Sequence, residues 1–221
     1  MRIGILGSGD VAKSLAKGFI ARKDGVRLGT RTGAKPEVDA WTAAERLPIR
    51  QGSFHEVSAW AEAVVLATRG MANEETLRSA GPPNFQGKVV IDATNPLIFK
   101  ENAPPGLGIG LNNSAGETVQ RLLPKARVVK AFNTIGHLHM VRPNFPSPPT
   151  MFICGNDASA KEWVEQLLRD FGWSSIIDIG GIEGSRLLEP LCTLWLTAGI
   201  RQSNWNIAFR LEERPAAGDG R

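Results

Sequence analysis

The hexapeptide Gly7-Ser8-Gly9-Asp10-Val11-Ala12 directly follows a short apolar run, Ile3 to Leu6, and opens a stretch in which Val11, Leu15, Phe19 and Ile20 fall at helical spacing. A strand that passes through a glycine turn straight into a helix leaves few alternatives to a dinucleotide-binding βαβ unit. In such a unit Gly7 makes the tight turn, Gly9 lets a pyrophosphate approach the backbone, and Ala12 lets helix and strand pack closely. The helix N-terminus, equivalent to roughly half a positive charge, then faces the phosphates. A carboxylate would repel them, so Asp10 is expected to cap the helix and point away, with Gly25 ending that helix before the second strand, Val26 to Thr30.

Further short runs, Ala63 to Thr68, Val89 to Ala93 and Val128 to Ala131, are mostly apolar instead of alternating, as strands buried on both faces are. Between them helices are expected around Val38 to Arg46, Glu56 to Glu62, Asn73 to Ser79 and Gly116 to Leu123. This alternation predicts an α/β fold, a doubly wound parallel sheet with helices on both faces. The Pro-rich stretch Arg142 to Pro149 reads as a boundary, giving a nucleotide-binding domain over 1–142 and a small C-terminal α/β and helical portion over 143–214. The latter holds a strand at Met151 to Cys154, a helix over Ser159 to Phe171, a strand at Ser175 to Ile179, and a long helix. That helix is expected to start near Leu188, since Pro190 is tolerated only in a first turn, and to carry Trp205 and Phe209 on its apolar face. Residues 215–221 hold little to bury and are expected to form a disordered tail.

Composition narrows the chemistry. With 221 residues the chain can bury a core without disulfide or metal support, and its two cysteines, Cys154 and Cys192, offer no metal-ligand or disulfide framework. Such usage fits a reducing cytoplasm. The net charge of +4 is too slight to point to nucleic acid, and no apolar run approaches a membrane span or a signal-peptide core. Tyr is absent, which excludes every mechanism built on a tyrosine acid.

Which dinucleotide binds is set at the end of the second strand, where an NAD enzyme usually places an acidic residue for the ribose 2′-hydroxyl. Here stand Thr30 and Arg31, with Lys35 close behind. A hydroxyl, a guanidinium and an ammonium converging on one point suit a 2′-phosphate, so NADP is the expected cofactor. Other strand ends complete the crevice: Thr68 and Arg69, Asn95, and Ala131 with Asn133. The role of Arg69 stays open between an anionic substrate group, the cofactor pyrophosphate and a surface salt bridge.

Dispersed motifs, Arg2-Ile-Gly-Ile-Leu-Gly-Ser-Gly9, Gly29-Thr-Arg31, Val90-Ile-Asp-Ala-Thr-Asn-Pro-Leu97, Val128-Val-Lys-Ala-Phe-Asn-Thr134, Cys154-Gly-Asn-Asp157 and Arg186-Leu-Leu-Glu-Pro-Leu191, stand in an order that resembles the NADP oxidoreductases dependent on the deazaflavin coenzyme F420 and their dinucleotide-binding reductase relatives. The resemblance spans Met1 to about Arg210. It implies a Rossmann domain, often in a homodimer, with the dinucleotide on Ser8, Gly9, Asp10, Val11, Thr30, Arg31 and Lys35 and the nicotinamide near Ile135, Gly136 and His137. The family commonly carries a Pro and a large aromatic residue where this chain has Arg69-Gly70.

The leading expectation is hydride transfer between NADP(H) and a deazaflavin or flavin-like acceptor, a reaction that needs two rings stacked in a dry cleft more than it needs an acid. His137 or His139 would supply a proton if one is required. Reduction of a small imine or carbonyl, and a non-catalytic NADP sensor, are the competing readings.

Overall fold

The computed structural model describes residues 1–101, 103–110 and 112–213; the expected tail, and Arg214 before it, lie outside the described residues. In chain order the elements are β1 (Arg2–Leu6), α1 (Asp10–Ala21), β2 (Gly25–Thr30), α2 (Pro36–Ala44), β3 (Arg50–Ser53), α3 (Phe54–Trp60), β4 (Ala63–Leu66), α4 (Asn73–Ala80), β5 (Val89–Asp92), β6 (Leu97–Ile98), β7 (Gly106–Leu107), α5 (Ala115–Leu122), β8 (Arg127–Lys130), β9 (Thr150–Gly155), α6 (Ala158–Asp170), β10 (Ser175–Asp178) and α7 (Ser185–Gln202). Eight strands form one sheet in the order β10-β9-β8-β5-β4-β1-β2-β3, while β6 and β7 make a separate antiparallel hairpin. Every neighbouring pair in the large sheet is parallel except β8 and β9.

The strands are apolar at successive positions because alternate residues of each enter different cores. Ile3, Ile5, Val65, Ile91 and Val129 pack under Leu15 and Phe19 of α1 and Val164 and Leu167 of α6. Leu6, Val64, Leu66, Val90 and Val128 face the other way, onto Val57 of α3, Leu77 of α4 and Val119 of α5. This is the expected doubly wound architecture, mostly parallel, with both faces covered.

Several local expectations are corrected. The N-cap of α1 is Gly9, and Asp10 is the first helical residue and makes no cap bond. The residue that takes the left-handed conformation after α1 is Lys23, at φ 66°, whereas Gly25 already belongs to β2. Strand β3 was not foreseen, because Arg-Gln-Gly-Ser is polar and the strand lies at the sheet edge, where nothing covers it on one side.

The final helix starts at Ser185, not near Leu188, and Pro190 stands in its second turn. Tertiary contacts hold that first turn. Arg186 binds Glu117 at 2.9 and 2.5 Å, and Glu189 reaches the backbone N–H groups of Ala115 and Gly116 at 3.0 Å each. These bonds offset the cost of a proline inside a helix, about 3 kcal/mol. The helix ends at Ser203, at φ 49°, so Trp205 and Phe209 are not on it. The chain instead folds back: Trp205 packs on Trp195 with ring centres 5.6 Å apart, and the Phe209 carbonyl accepts from Thr150 N at 2.9 Å.

Candidate functional site

The carboxyl ends of β1, β2, β4, β5 and β8 all open on one rim of the sheet, which is where open α/β sheets hold ligands. Gly7 takes φ +135°, and a Cβ there would overlap the Ala67 carbonyl; its N–H donates to Gly29 O at 2.9 Å. Only glycine allows β1, β2 and β4 to end so close together. In front of Gly9 the space is open, and no side chain caps α1, so its first-turn N–H groups are available to an anion. Ser8, Asp10 and Val11 flank this opening and are not fully buried.

At the end of β2, Thr30 is buried at 2% exposure and its hydroxyl has no hydrogen-bond partner. An unsatisfied buried hydroxyl costs about 1–3 kcal/mol, and native structures keep few of them. Beside it Arg31 extends into solvent, 3.4 Å from Glu75, and Lys35 Nζ lies 3.9 Å from Glu37. Lys35 is also the N-cap residue of α2, where Gln51 bonds both its N–H and its C=O at 3.0 Å. Both ion pairs are exposed, each worth about 0–1 kcal/mol, and are readily exchanged for a phosphate.

Between β4, β5 and the β6–β7 hairpin lies a cleft of about 680 Å³, lined by Val11, Thr68, Arg69 and Asn95 of the predicted residues. Its apolar wall, Met71, Leu97, Ile98 and Phe99, was not anticipated, although the run Leu97-Ile-Phe99 after Asn95-Pro96 was a usable sign. Ala131 and Asn133 are buried and do not line it. Asn133 stands behind Asn95: its amide donates to Asn95 Oδ1 and to the Leu188 carbonyl at 2.9 Å each, while Asn95 Nδ2 donates to Asn133 O at 2.8 Å. The Asn133 Oδ1 is the second buried side-chain atom without a partner among the described residues. Phe132, held at φ 66° and fully buried, turns the chain so that Asn133 meets Asn95.

A polar relay underlies this cleft. Thr68 Oγ1 donates to Asn73 at 3.2 Å, Asn73 Nδ2 to Thr94 Oγ1 at 2.7 Å, and Thr94 Oγ1 to Asp92 at 2.6 Å. Lys130 Nζ, wholly buried, then joins Asp92 at 2.8 Å, the Thr94 carbonyl at 2.9 Å and Glu189 at 2.9 Å. Burial alone would depress the Lys130 pKa, but the Asp92 and Glu189 carboxylates outweigh it and hold the group above the ordinary lysine value. The runs that mark these two strands contain Asp92 and Lys130, but nothing in either run says that the two charges meet.

His137 is half-buried in a short 3₁₀ turn, and its ring has no hydrogen-bond partner among the described residues. His139 is instead a packing residue, 3.1 Å from Asn206 Oδ1 and stacked on Phe145 with ring centres 4.5 Å apart. Burial pushes the Cys154 thiol up to about 11 and the Cys192 thiol up to about 12, so neither is a nucleophile near neutral pH. Among the described residues, the cleft lining contains no carboxylate, histidine or lysine.

A profile of the family described as NADP oxidoreductase coenzyme F420-dependent matches residues 2–96. A solved structure described as a putative F420-dependent NADP reductase from Arthrobacter sp. FB24 is 34% identical, with 96% of this chain and all of that chain covered and a TM-score of 0.91. The F420-dependent NADP reductase of Methanocaldococcus jannaschii is 28% identical over 220 residues, covering 96% of this chain and 98% of its own. An imine reductase of Streptomyces aurantiacus, 15% identical over 91% of this chain and 64% of its own with a TM-score of 0.63, shares the fold alone. With a relative this similar along its whole length, the chain belongs to the family of coenzyme F420-dependent NADP oxidoreductases.

Proposed function

We propose that the protein transfers a hydride between NADP(H) and an F420-type deazaflavin. One observation supports the cofactor half of this reading: the N-terminus of α1 is uncapped, and at the end of the neighbouring strand β2 the buried Thr30 hydroxyl has no partner, with Arg31 next to it and Lys35 close behind in the chain. A bound dinucleotide supplies or accepts the hydride at its nicotinamide. Gly7, Ser8, Gly9, Asp10 and Val11 are assigned to its pyrophosphate, and Thr30, Arg31 and Lys35 to its 2′-phosphate. Thr68 and Asn95 are assigned to the nicotinamide half, with Asn133 acting from behind through its bonds to Asn95, while Ala131 is a buried core residue away from the cleft. His137 is the retained candidate for moving a proton to or from the acceptor. The test follows reduced F420 with NADP⁺ and with NAD⁺. Turnover with NADP⁺ at roughly tenfold or greater preference is expected from two charge-assisted bonds; NADPH binding without turnover on F420, flavin, ferric chelate or imine would leave a sensor instead.

Among the described residues no helix is long and apolar enough to cross a membrane, and we infer a cytoplasmic homodimer. The apolar stripe of α7, with Leu187 at 68% and Leu194 at 57% exposure and Leu191 between them, supports that reading and proposes a second copy as its cover. Leu194→Glu is expected to shift the sedimenting species from dimer to monomer; a wild-type monomer, or a dimer unmoved by the substitution, would rule the stripe out as the interface.

A further inference from the structure

We infer that Arg69 is a specificity-determining residue of the acceptor site, selecting a planar acceptor that carries an oxyanion, phosphate or carboxylate, on its side chain. The inference rests on the proposed hydride transfer, since it assigns the cleft to the acceptor.

Among the described residues that line the cleft, Arg69 is the single charged one. Its guanidinium makes no ion pair and no hydrogen bond among the described residues, so the surface salt bridge considered from the sequence does not form there. The backbone on either side is held. Thr68 bonds Asn73, and Gly70 N donates to Asn95 O at 3.1 Å. Gly70 approaches Asn95 so closely that a Cβ would overlap the Asn95 carbonyl. A fixed backbone with an unpaired cation at its tip is preorganised to receive an anion, at little ordering cost beyond the side chain itself.

The sheet order separates this cation from the 2′-phosphate position, whereas the pyrophosphate turn is one strand away, with Gly7 packed on Ala67 and Thr68. The pyrophosphate turn lies over β1, and the 2′-phosphate group lies over β2, on one side of it. Arg69 follows β4, on the other side of β1, two strand spacings or about 10 Å from the end of β2. Beside the uncharged polar groups of Thr68, Thr94 and Asn95, the cleft presents Arg69 with exposed apolar side chains, Met71 at 52%, Ile98 at 37% and Phe99 at 68%. An apolar wall beside one unpaired guanidinium recognises a flat, uncharged ring whose substituent ends in an oxyanion, which the guanidinium fork binds with two parallel bonds.

The test is equilibrium binding to the NADP⁺-loaded protein of five acceptors: the bare deazaflavin ring alcohol, its phosphate ester, full F420, riboflavin and flavin mononucleotide. The wild type is expected to bind the charged forms about tenfold tighter than their uncharged partners. A gain at the phosphate ester assigns the oxyanion as phosphate, and a gain only at full F420 assigns it as carboxylate. Arg69→Ala should bring charged and uncharged forms within about twofold, Arg69→Lys should restore part of the preference, and NADP⁺ affinity should stay within about twofold in both. If flavin mononucleotide is preferred over riboflavin while no deazaflavin binds, the Arg69 site stands and the deazaflavin assignment falls. If F420 binds and turns over alike with Arg69 and with Ala, the Arg69 inference falls and the reaction stands. An NADP⁺ loss in Arg69→Ala as large as the acceptor loss, or no binding of any of the five, overturns the inference.

Discussion

Lys130→Met is expected to destabilise the protein by about 3–5 kcal/mol, because it leaves Asp92 and Glu189 as uncompensated charges in the core. For a chain of this size that is a fall in melting temperature of about 10 °C, read by calorimetry or by urea unfolding. The two buried carboxylates reach the ammonium from different elements, Asp92 from β5 and Glu189 from α7, so the loss loosens both attachments. In the Lys130→Met background Glu189→Gln should cost less than it does alone, since it removes a carboxylate that has lost its cation. A stability within about 1 kcal/mol of wild type would show that the triad is bypassed by solvent. The pH dependence follows from the raised Lys130 pKa: the contribution is complete below the ordinary lysine value and is lost only as pH rises through the folded-state value above it. The triad therefore predicts no loss of stability from Lys130 between neutral pH and about pH 10.

Arg31→Asp should weaken NADPH by about tenfold or more and change NADH far less, measured as dissociation constants for both cofactors. The substitution removes a guanidinium from the 2′-phosphate position and sets a repelling carboxylate there, next to Glu75. Equal losses for the two cofactors would remove the 2′-phosphate assignment. The Arg31 to Glu75 pair, at 3.4 Å, adds a finer expectation: Glu75→Gln frees the guanidinium and tightens NADPH by about threefold, the worth of an exposed ion pair. Thr30→Val keeps the buried volume but removes the unpartnered hydroxyl. It should thus stabilise the unliganded protein slightly while costing NADPH affinity.

Much of the sheet was legible because burial on both faces leaves a mark in the sequence itself: Val64, Val65 and Leu66 face different cores in succession, and no polar residue fits among them. The glycine turn after β1 was legible for a similar reason, since Gly7 must admit the Ala67 carbonyl. Edge and terminal elements were less so. Strand β3 is polar, and Pro190 argued for a helix start that Arg186 and Glu189 override through contacts with α5, 69 and 73–74 residues away in the chain. Local propensity cannot contain such contacts. The same holds for the apolar cleft wall, where Met71 and Phe99 come from two different loops.

The linear chain determined which segments must be buried, where the glycine turn after β1 falls, and that a basic group follows β2, because each of these is a property of a few adjacent residues. Tertiary structure alone decided that β9 reverses against β8, that Lys130 meets carboxylates from β5 and α7, that Glu75 occupies Arg31, and that Arg69 meets no partner among the described residues. The physical reason is that burial is written locally, whereas the partner of a charge depends on which distant segments the packed sheet brings within a few ångströms of it.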